Sequence, residues 1–320
     1  MTMHGRLTVR SAAEVPVDRL VRLVSSHEKS ITGRAMRTRE DILPDTAAPG
    51  YRMNNWCLTG AGDEVVAWAS LTPRDGTLDG TLIALPGRRG ESAARALMCL
   101  LLDRADELAP QDGRHLALTV SGVLGGDSVA PPVLRTAGFV PDSTAARLDI
   151  DLSVPPLPPL PPGEGSIRQA EVCDDALHAV HLRSRASAPR TEDAHAFRAR
   201  LRELREAGGV ALLLEMSGRP AGYALARAAG GEGRVLELAV APAFRGLGIG
   251  LSLLTAVLAE LRAGGCVRAL VTLDTGDLHD HMALCRVLAV QGACAVTRYR
   301  MPTAPSARPR PSHRPPTGRM

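Results

Sequence analysis

The sequence has few aromatic side chains and a single lysine. Phe, Trp and Tyr make up 2% of the 320 residues, so leucine, valine and alanine must build most of the core. Lys29 is the only lysine among the 38 basic residues. A phosphate-binding loop of the Walker A type needs a Gly-Lys-Ser/Thr sequence. With no other lysine available, the chain has no such loop.

Features of secreted and membrane proteins are also missing. The six cysteines form no C-x-x-C pair and lie within apolar stretches, as small core residues do. No hydrophobic signal sequence follows the N-terminus, and no apolar run reaches about 18 residues. We therefore expect a cytoplasmic protein with no membrane partner.

The charge of the chain is balanced except at its C-terminus. The formal net charge is +4, and residues 302–320 contain four arginines and no acid, so the remainder is neutral. A neutral body lacks the positive surface that nucleic-acid binding requires. The tail is rich in proline and arginine, a composition typical of disordered segments.

A proline-rich segment divides the chain near its middle. Residues 154–165, VPPLPPLPPGEG, exclude a helix or a central strand and are typical of a stiff linker. Both sides open with a short strand pattern, and they correspond at nearly constant spacing. The matched residues are Trp68 and Tyr223, Arg89 and Arg245, and Gly138 and Gly292. This correspondence indicates a duplication.

Each half has the same predicted order of strands and helices. Helices are predicted at 91–109, stopped by Pro110, and at 251–263, ended by two glycines. The alternation predicts an α/β protein with a mixed sheet in each half. The predicted boundaries are a first domain at 1–152, a linker at 153–164, a second domain at 165–301 and a tail at 302–320.

A glycine-rich turn in the second half has the properties of an anion site. An apolar stretch leads into Arg245-Gly246-Leu247-Gly248-Ile249-Gly250, and a helical pattern follows. A helix start offers unpaired N–H groups and partial positive charge, and glycines let the backbone approach phosphate oxygens. The pattern is Arg-x-x-Gly-x-Gly and not G-x-G-x-x-G, because Leu251 stands at the third glycine position. A turn without a ligand is the alternative, but the strand-turn-helix context favours a phosphate.

This stretch resembles the acyl-CoA-binding motif of the GNAT superfamily of N-acetyltransferases. The matching residues are Val240-Ala241-Pro242 and Arg245 to Gly250. With the duplication, the resemblance extends over most of the chain and implies two tandem GNAT-like domains, in the layout of the mycothiol synthases. It implies acetyl-CoA as acyl donor. Its pyrophosphate would lie on the turn formed by Arg245, Gly246, Leu247, Gly248, Ile249 and Gly250, and its pantetheine arm against the backbone of Leu238, Ala239 and Val240.

The corresponding turn of the first half is degenerate. Alignment of Arg89 with Arg245 puts Ser92 at Gly248 and Ala94 at Gly250. Ser92 is alternatively a helix cap. We expect the first half to bind CoA weakly or not at all.

The resemblance suggests two carboxylates as the base that deprotonates the acceptor. Asp274 ends the strand after the phosphate-binding helix, where some GNAT enzymes carry an acidic base, and it is the preferred candidate. Glu237 is the second candidate. Strand alternation places it opposite Leu236, Leu238 and Val240 unless a bulge intervenes. For either residue, a solvated strand-end carboxylate is the alternative.

The family often uses a tyrosine to protonate the CoA thiolate, within an N-x-x-A-x-x-L-Y-x-x-x-G-F pattern. Counting back from Gly292 places Leu288 at that position, and Leu134 occupies it in the first half. Loss of the tyrosine slows the reaction without forbidding it, because a thiolate leaves readily near neutral pH. Tyr299 and Cys285 are weaker candidates for an acid.

No metal site is expected. His279 and His281 lie beside Asp277 and Asp280, but a polar loop produces such spacing readily and no further ligands converge.

The sequence thus predicts an N-acetyltransferase that uses acetyl-CoA, with the second half active and a small-molecule or protein amine as acceptor. A non-catalytic acyl-CoA-binding protein and an O- or S-acyltransferase are the alternatives. The acceptor segments of the family correspond to residues 173–206 and 275–283, which carry no recognisable signature.

Overall fold

The structure is a computed structural model that describes residues 7–47, 50–74, 77–108, 116–155, 163, 165–184, 192–274 and 288–302. Twelve strands and seven α-helices lie in these residues. The strands are β1 Thr8–Ser11, β2 Asn55–Thr59, β3 Val65–Arg74, β4 Thr77–Ala84, β5 Ala117–Leu124, β6 Val140–Asp151, β7 Gly165–Gln169, β8 Val210–Met216, β9 Arg219–Ala229, β10 Glu232–Val240, β11 Arg268–Asp274 and β12 Val290–Arg300. The helices are α1 Val17–Thr32, α2 Arg39–Ala47, α3 Arg88–Leu108, α4 Ala130–Thr136, α5 Asp175–Ser184, α6 Ala194–Glu206 and α7 Ile249–Ala263.

All twelve strands form one mixed sheet in the order β1-β2-β3-β4-β5-β12-β6-β11-β10-β9-β8-β7. The order reads the same from both edges when each strand of the first half is matched to its counterpart in the second. The tandem α/β layout is therefore confirmed. The last strand of each half is exchanged, because β12 pairs with β5 and β6 pairs with β11.

Helices cover both faces of the sheet. Successive side chains of a strand point to opposite faces, and in these strands both sets are apolar. In the first half, Ala67 and Leu82 face α3, whereas Trp68 and Ile83 face α1. In the second half, one apolar cluster packs under α7 and a separate one packs under α5 and α6. The second cluster is the one that meets the candidate site.

Both predicted helices are present with shifted starts. The helix predicted at 251–263 begins two residues earlier as α7 and ends, as predicted, before Gly264. The helix predicted from residue 91 already begins at Arg88 as α3. Ser92 therefore lies inside this helix and does not cap it, which corrects the capping alternative.

Buried acidic side chains of the first half form ion pairs with arginines of the second half. Asp149 of β6 is fully buried and accepts hydrogen bonds from Arg268 of β11 at 2.6 and 2.7 Å. It also forms an ion pair at 2.9 Å with Arg34, which follows α1. Asp41 of α2 pairs with Arg227 of β9 at 3.1 Å and with Arg234 of β10. The segment between α1 and α2 is thus fastened across the sheet of the second half.

Glu28 of α1 is a second buried carboxylate in this segment. It accepts hydrogen bonds from the backbone N–H groups of Met36 and Arg37 and from the Arg37 side chain, at 2.6 to 2.9 Å. Burial alone would raise the pKa of Glu28, but the charge of Arg37 and these hydrogen bonds outweigh it and hold the pKa below the ordinary value of 4.5.

The lowered pKa of Glu28 predicts an acid-dependent contribution to stability. Because the pKa is lower in the folded than in the unfolded state, this contribution is fully present above about pH 4.5 and is lost as the pH falls through the folded-state pKa. The stability difference between wild type and Glu28→Gln, measured by urea unfolding from pH 7 to pH 3, should shrink as the solution becomes acidic. Glu64→Gln is the control, since Glu64 forms only an exposed pair with Arg89. A constant difference for Glu28→Gln would contradict the assignment.

Several predicted features lie outside the described residues. These are most of the proline-rich linker, nearly all of the tail, and the loop that carries Asp277, His279, Asp280, His281 and Cys285. Within the described ranges, no helix has the length and apolar character needed to cross a bilayer.

Candidate functional site

The glycine-rich turn connects the end of β10 to the start of α7. Eight residues, 241–248, separate the two elements, and a short 3-10 turn, Pro242–Phe244, opens the connection. Gly246 and Gly248 both have left-handed backbone conformations, with φ of +77° and +79°. Side chains other than glycine rarely adopt this conformation. A Cβ atom at either position would meet no atom within 4 Å, so the inner surface of the turn is open.

The start of α7 faces this open space with unpaired backbone donors. Gly248 precedes the first helical residue, Ile249, and has no side chain with which to cap the helix. Helix N–H groups and the helix dipole therefore remain for an anion. Arg245 is exposed and donates from Nη2 to the carbonyl oxygen of Ser184 at 3.3 Å. The motif predicts the CoA pyrophosphate at this turn, and the open helix start is the feature that such an anion would use.

β10 separates from β11 before it reaches the turn. The parallel ladder between them runs only from Glu232 to Val235 of β10. From there to Val240, β10 remains paired with β9, and β11 remains paired with β6 up to Asp274. A β-bulge between Val235 and Glu237 accompanies the separation. The backbone of Leu238–Val240 therefore borders the gap that opens between β10 and β11, which we call the wedge. The resemblance predicts the pantetheine arm in this gap.

The first half keeps the wedge but lacks the turn. Its β4–β5 ladder also covers only four residues, Thr77–Gly80 of β4. Only residues 85–87 connect β4 to α3. The first turn of α3 packs directly against Leu85, the residue after β4, because a Cβ atom at Gly90 would lie 1.7 Å from the carbonyl oxygen of Leu85. Arg89 is in the helix and pairs with Glu64 at 3.5 Å. Between β4 and α3, the described residues of the first half leave no loop for an anion.

Glu237 lies on the face of β10 that α5 and α6 cover. Its side chain is 12% exposed, and its Oε2 accepts a hydrogen bond from Arg200 Nη1 of α6 at 2.9 Å. Its Oε1 lies 3.4 Å from His181 Nδ1 of α5. As expected, Glu237 is opposite Leu238 and Val240, which pack on the α7 side. Leu236, displaced by the bulge, is half exposed.

His181 connects Glu237 to a buried tyrosine. Nδ1 of His181 lies 2.8 Å from the hydroxyl of Tyr223 on β9. Nε2 of His181 is buried and has no hydrogen-bond partner in the described part of the chain; it lies 3.6 Å from Glu192 Oε2. The His181 ring packs on Phe197 with centroids 4.7 Å apart.

Arg200 holds two carboxylates of this cluster together. Besides Glu237, it binds Glu192 through Nη2 at 2.9 Å and Nε at 3.3 Å. Burial would lower the pKa of Arg200, but the hydrogen bonds and charges of Glu192 and Glu237 outweigh it and keep the pKa above its ordinary value. Arg200 therefore stays charged and compensates a carboxylate that would be costly to bury alone.

The other residues considered for catalysis have different surroundings. Asp274 is the last residue of β11 and pairs with Ala145; the placement of its side chain lies outside the described part. Leu288 is buried in the cluster under α7, and Leu134 is fully buried in the first half. Tyr299 packs into the core of the first half, because β12 is exchanged into that part of the sheet. Tyr299 is therefore excluded as an acid for the second half.

The comparisons with known proteins concern the second half and the overall fold. Residues 175–285 match the acetyltransferase (GNAT) family. A GCN5-related N-acetyltransferase from Sphaerobacter thermophilus is 19% identical, with a TM-score of 0.74 over 95% of this chain and 98% of its own. A tandem GNAT protein from the clavulanic acid biosynthesis pathway is 17% identical, with a TM-score of 0.65 over 94% of this chain and 100% of its own. No curated protein sequence matches the chain.

The chain is therefore a tandem protein of the GNAT fold. Its second half carries the sequence match to the acetyltransferase family, and that match spans α5, α6, the turn and β11. GNAT proteins use acetyl-CoA as their acetyl donor.

Proposed function

We propose that the second half transfers an acetyl group from acetyl-CoA to an amine of a small molecule or a protein. The turn Arg245–Gly250 would bind the pyrophosphate, and the free backbone edge of Leu238–Val240 would bind the pantetheine arm and donate to the thioester carbonyl. The polar cluster on the α5–α6 face would receive the acceptor. The first half would contribute the exchanged strand β6 and bind no acetyl-CoA.

A carboxylate next to the wedge supplies the base that this reaction needs. The acceptor ammonium gives one proton to the carboxylate, and its nitrogen forms a bond to the acetyl carbon. The nitrogen then releases its second proton, the carbon–sulfur bond breaks with its electron pair on sulfur, and the thiolate takes up that proton directly or through water while the carboxylic acid returns the first proton to solvent. We propose Glu237 as this base, because its contacts with Arg200 and His181 place an ionised carboxylate beside β10. Asp274 is the second proposed base.

One observation carries the proposal: both halves have the wedge, but the strand and the helix are joined by eight residues with two left-handed glycines in the second half and by three residues with one, Gly87, in the first. If the fold alone required this turn, both halves would contain it. The difference supports a ligand that binds one half.

The turn gives a direct test of acetyl-CoA binding with a matched control. Gly248→Asp puts a carboxylate where the pyrophosphate would lie, and it should weaken acetyl-CoA affinity at least about tenfold in calorimetry. Gly87→Asp makes the same change at the left-handed glycine before α3, which also has open space around it. It should leave the affinity unchanged. Equal effects of the two substitutions, or none from Gly248→Asp, would overturn the assignment of the turn.

Turnover distinguishes the proposed reaction from the alternatives. Thiol release from acetyl-CoA is measured against a panel of amines, with hydroxyl and thiol acceptors as separate arms. Turnover with amines supports the proposal, whereas turnover only with hydroxyls or thiols indicates an O- or S-acyltransferase. The buried Leu288 in place of the tyrosine favours a non-catalytic acyl-CoA-binding protein as the second candidate. Binding without release of thiol in any arm would support that candidate.

A further inference from the structure

We infer that His181 is a positioning residue of the acetyl transfer, which fixes Glu237 as the base through its Nδ1–H group and in concert with the Tyr223 hydroxyl. The inference rests on the proposed function and adds two residues of the α5–α6 face to it, His181 and Tyr223. It is carried by the contacts of the cluster and by the comparison of the two halves.

The inference assigns the hydrogen of the His181 ring to Nδ1. A carboxylate accepts hydrogen bonds only, so Nδ1 must carry a hydrogen to interact favourably with Glu237 Oε1 at 3.4 Å. The same Nδ1 lies 2.8 Å from Tyr223 Oη. His181 is 1% exposed and packs on Phe197, so its ring has little freedom to turn away. The imidazole is therefore a rigid support for the carboxylate.

The first half shows that the fold does not need this polar cluster. Buried residues of α1 and α5 share the same spacing, Leu20, Leu23, Val24 and Leu177, Val180, His181, which places Val24 where His181 stands.

The strand ladders identify the other two counterparts. Trp68 pairs with Ile83 as Tyr223 pairs with Ala239. Thr81, two residues before Ile83, thus corresponds to Glu237. Valine, tryptophan and threonine fill the same places in the half without the turn. The polar cluster and the acetyl-CoA turn therefore occur together in one half and are both absent from the other.

Every element packed against His181 contributes to its electrostatic surroundings. Tyr223 comes from β9 and Glu237 from β10. Glu192 precedes α6 and Arg200 lies on it. His178 is on α5 with His181, and the centroids of the two rings are 6.3 Å apart. Two carboxylates and one guanidinium thus surround the ring. Loss of the Nδ1–H group removes stabilisation from the ionised form of Glu237 without removing Arg200.

The first test replaces His181 with valine, the residue of the first half. We expect kcat to fall about 10- to 100-fold, since a hydrogen bond to a charged group is lost. Acetyl-CoA affinity should be unchanged, and the acid limb of the kcat/KM profile should move to higher pH. His181→Asn, which keeps an N–H donor near the Nδ1 position, should recover most of the rate. If His181→Val does not fold, Tyr223→Phe is used instead. It removes the hydroxyl that lies 2.8 Å from His181 Nδ1 and so tests the contact between Tyr223 and His181.

The matched control is a buried histidine of the first half. His27 is 4% exposed, binds Asp127 at 2.9 Å through Nε2, and has an Nδ1 without a hydrogen-bond partner in the described residues. His27→Val should lower thermal stability but leave kcat and the pH profile of the folded protein unchanged. If both valine variants change kcat alike, the effect of His181 is structural and the inference is wrong.

A double-mutant cycle asks whether His181 acts through Glu237. In the Glu237→Gln background, His181→Val should lower kcat less than about threefold further, because the group that it positions is already gone. Full additivity would overturn the positioning role while leaving the proposed acetyl transfer intact. Absence of any turnover by the wild type would overturn the proposed function and this inference together.

Discussion

Replacement of Glu237 by glutamine should lower kcat for acetyl transfer by about 10²- to 10⁴-fold, the range expected when a general base is removed. Glutamine keeps the size of the side chain, and Arg200 keeps its two contacts with Glu192. The fold should therefore persist, and acetyl-CoA affinity should stay within about twofold of the wild type, since the turn is untouched. Steady-state turnover and calorimetry on the same samples measure both quantities.

Asp274→Asn is the matched comparison, because it makes the same isosteric change at the other proposed base. We expect it to lower kcat less than tenfold. A large loss of kcat in Asp274→Asn, together with near-wild-type turnover of Glu237→Gln, would indicate that Asp274 at the end of β11 is the base. It would also overturn the role inferred for His181, because that role depends on Glu237.

The sequence predicts the duplication and the turn well because both are local patterns. The residues Arg245 to Gly250 are contiguous, and the conformation of Gly246 and Gly248 follows from glycine's freedom at positive φ. The strand before the turn and the helix after it are also found where the pattern predicts them. Each of these features depends on neighbours within a few residues.

The exchange of β6 and β12 was not predictable from the same patterns. The two strands are equivalent copies in a duplicated chain, and apolar alternation suits either sheet. Their choice of partner depends on contacts between the halves, such as the pairing of Asp149 with Arg268. The exchange matters for the site, because it places Tyr299 in the core of the first half.

The polar cluster was missed because its members are distant in sequence. His181 occupies an apolar face beside Leu177 and Val180, where a histidine is usually a core residue. The sequence neighbours of Glu237 on β10 are apolar, and its partner Arg200 lies 37 residues away on α6. A buried histidine in only one of two duplicated helices was the available signal. Comparison of His181 with Val24 would have found it.

Asp149→Asn should produce the largest loss of stability. The carboxylate is fully buried and neutralises Arg34 of the first half and Arg268 of β11. Asparagine keeps the shape but removes the acidic partner of the partly buried Arg34 and leaves the partly buried Arg268 with Glu232 at 3.0 Å in place of two carboxylates. Removal of one partner from a buried ion pair costs about 3–5 kcal/mol, so the melting temperature should fall by roughly 6–20 °C. Calorimetric or fluorescence melting measures the shift.

Asp142→Asn on the same strand is the control for this substitution. Asp142 forms an ion pair with Arg300 at 2.9 Å, but both side chains are substantially exposed, at 33% and 50%. Solvent screens such a pair, so its loss should cost less than about 1 kcal/mol. Because Asp149 joins the two halves, Asp149→Asn should also make the segment between α1 and α2 exchange its amide hydrogens faster, whereas Asp142→Asn should not. Similar melting shifts for the two variants would mean that the α1–α2 segment is held by its apolar contacts and that Asp149 does not fasten the halves together.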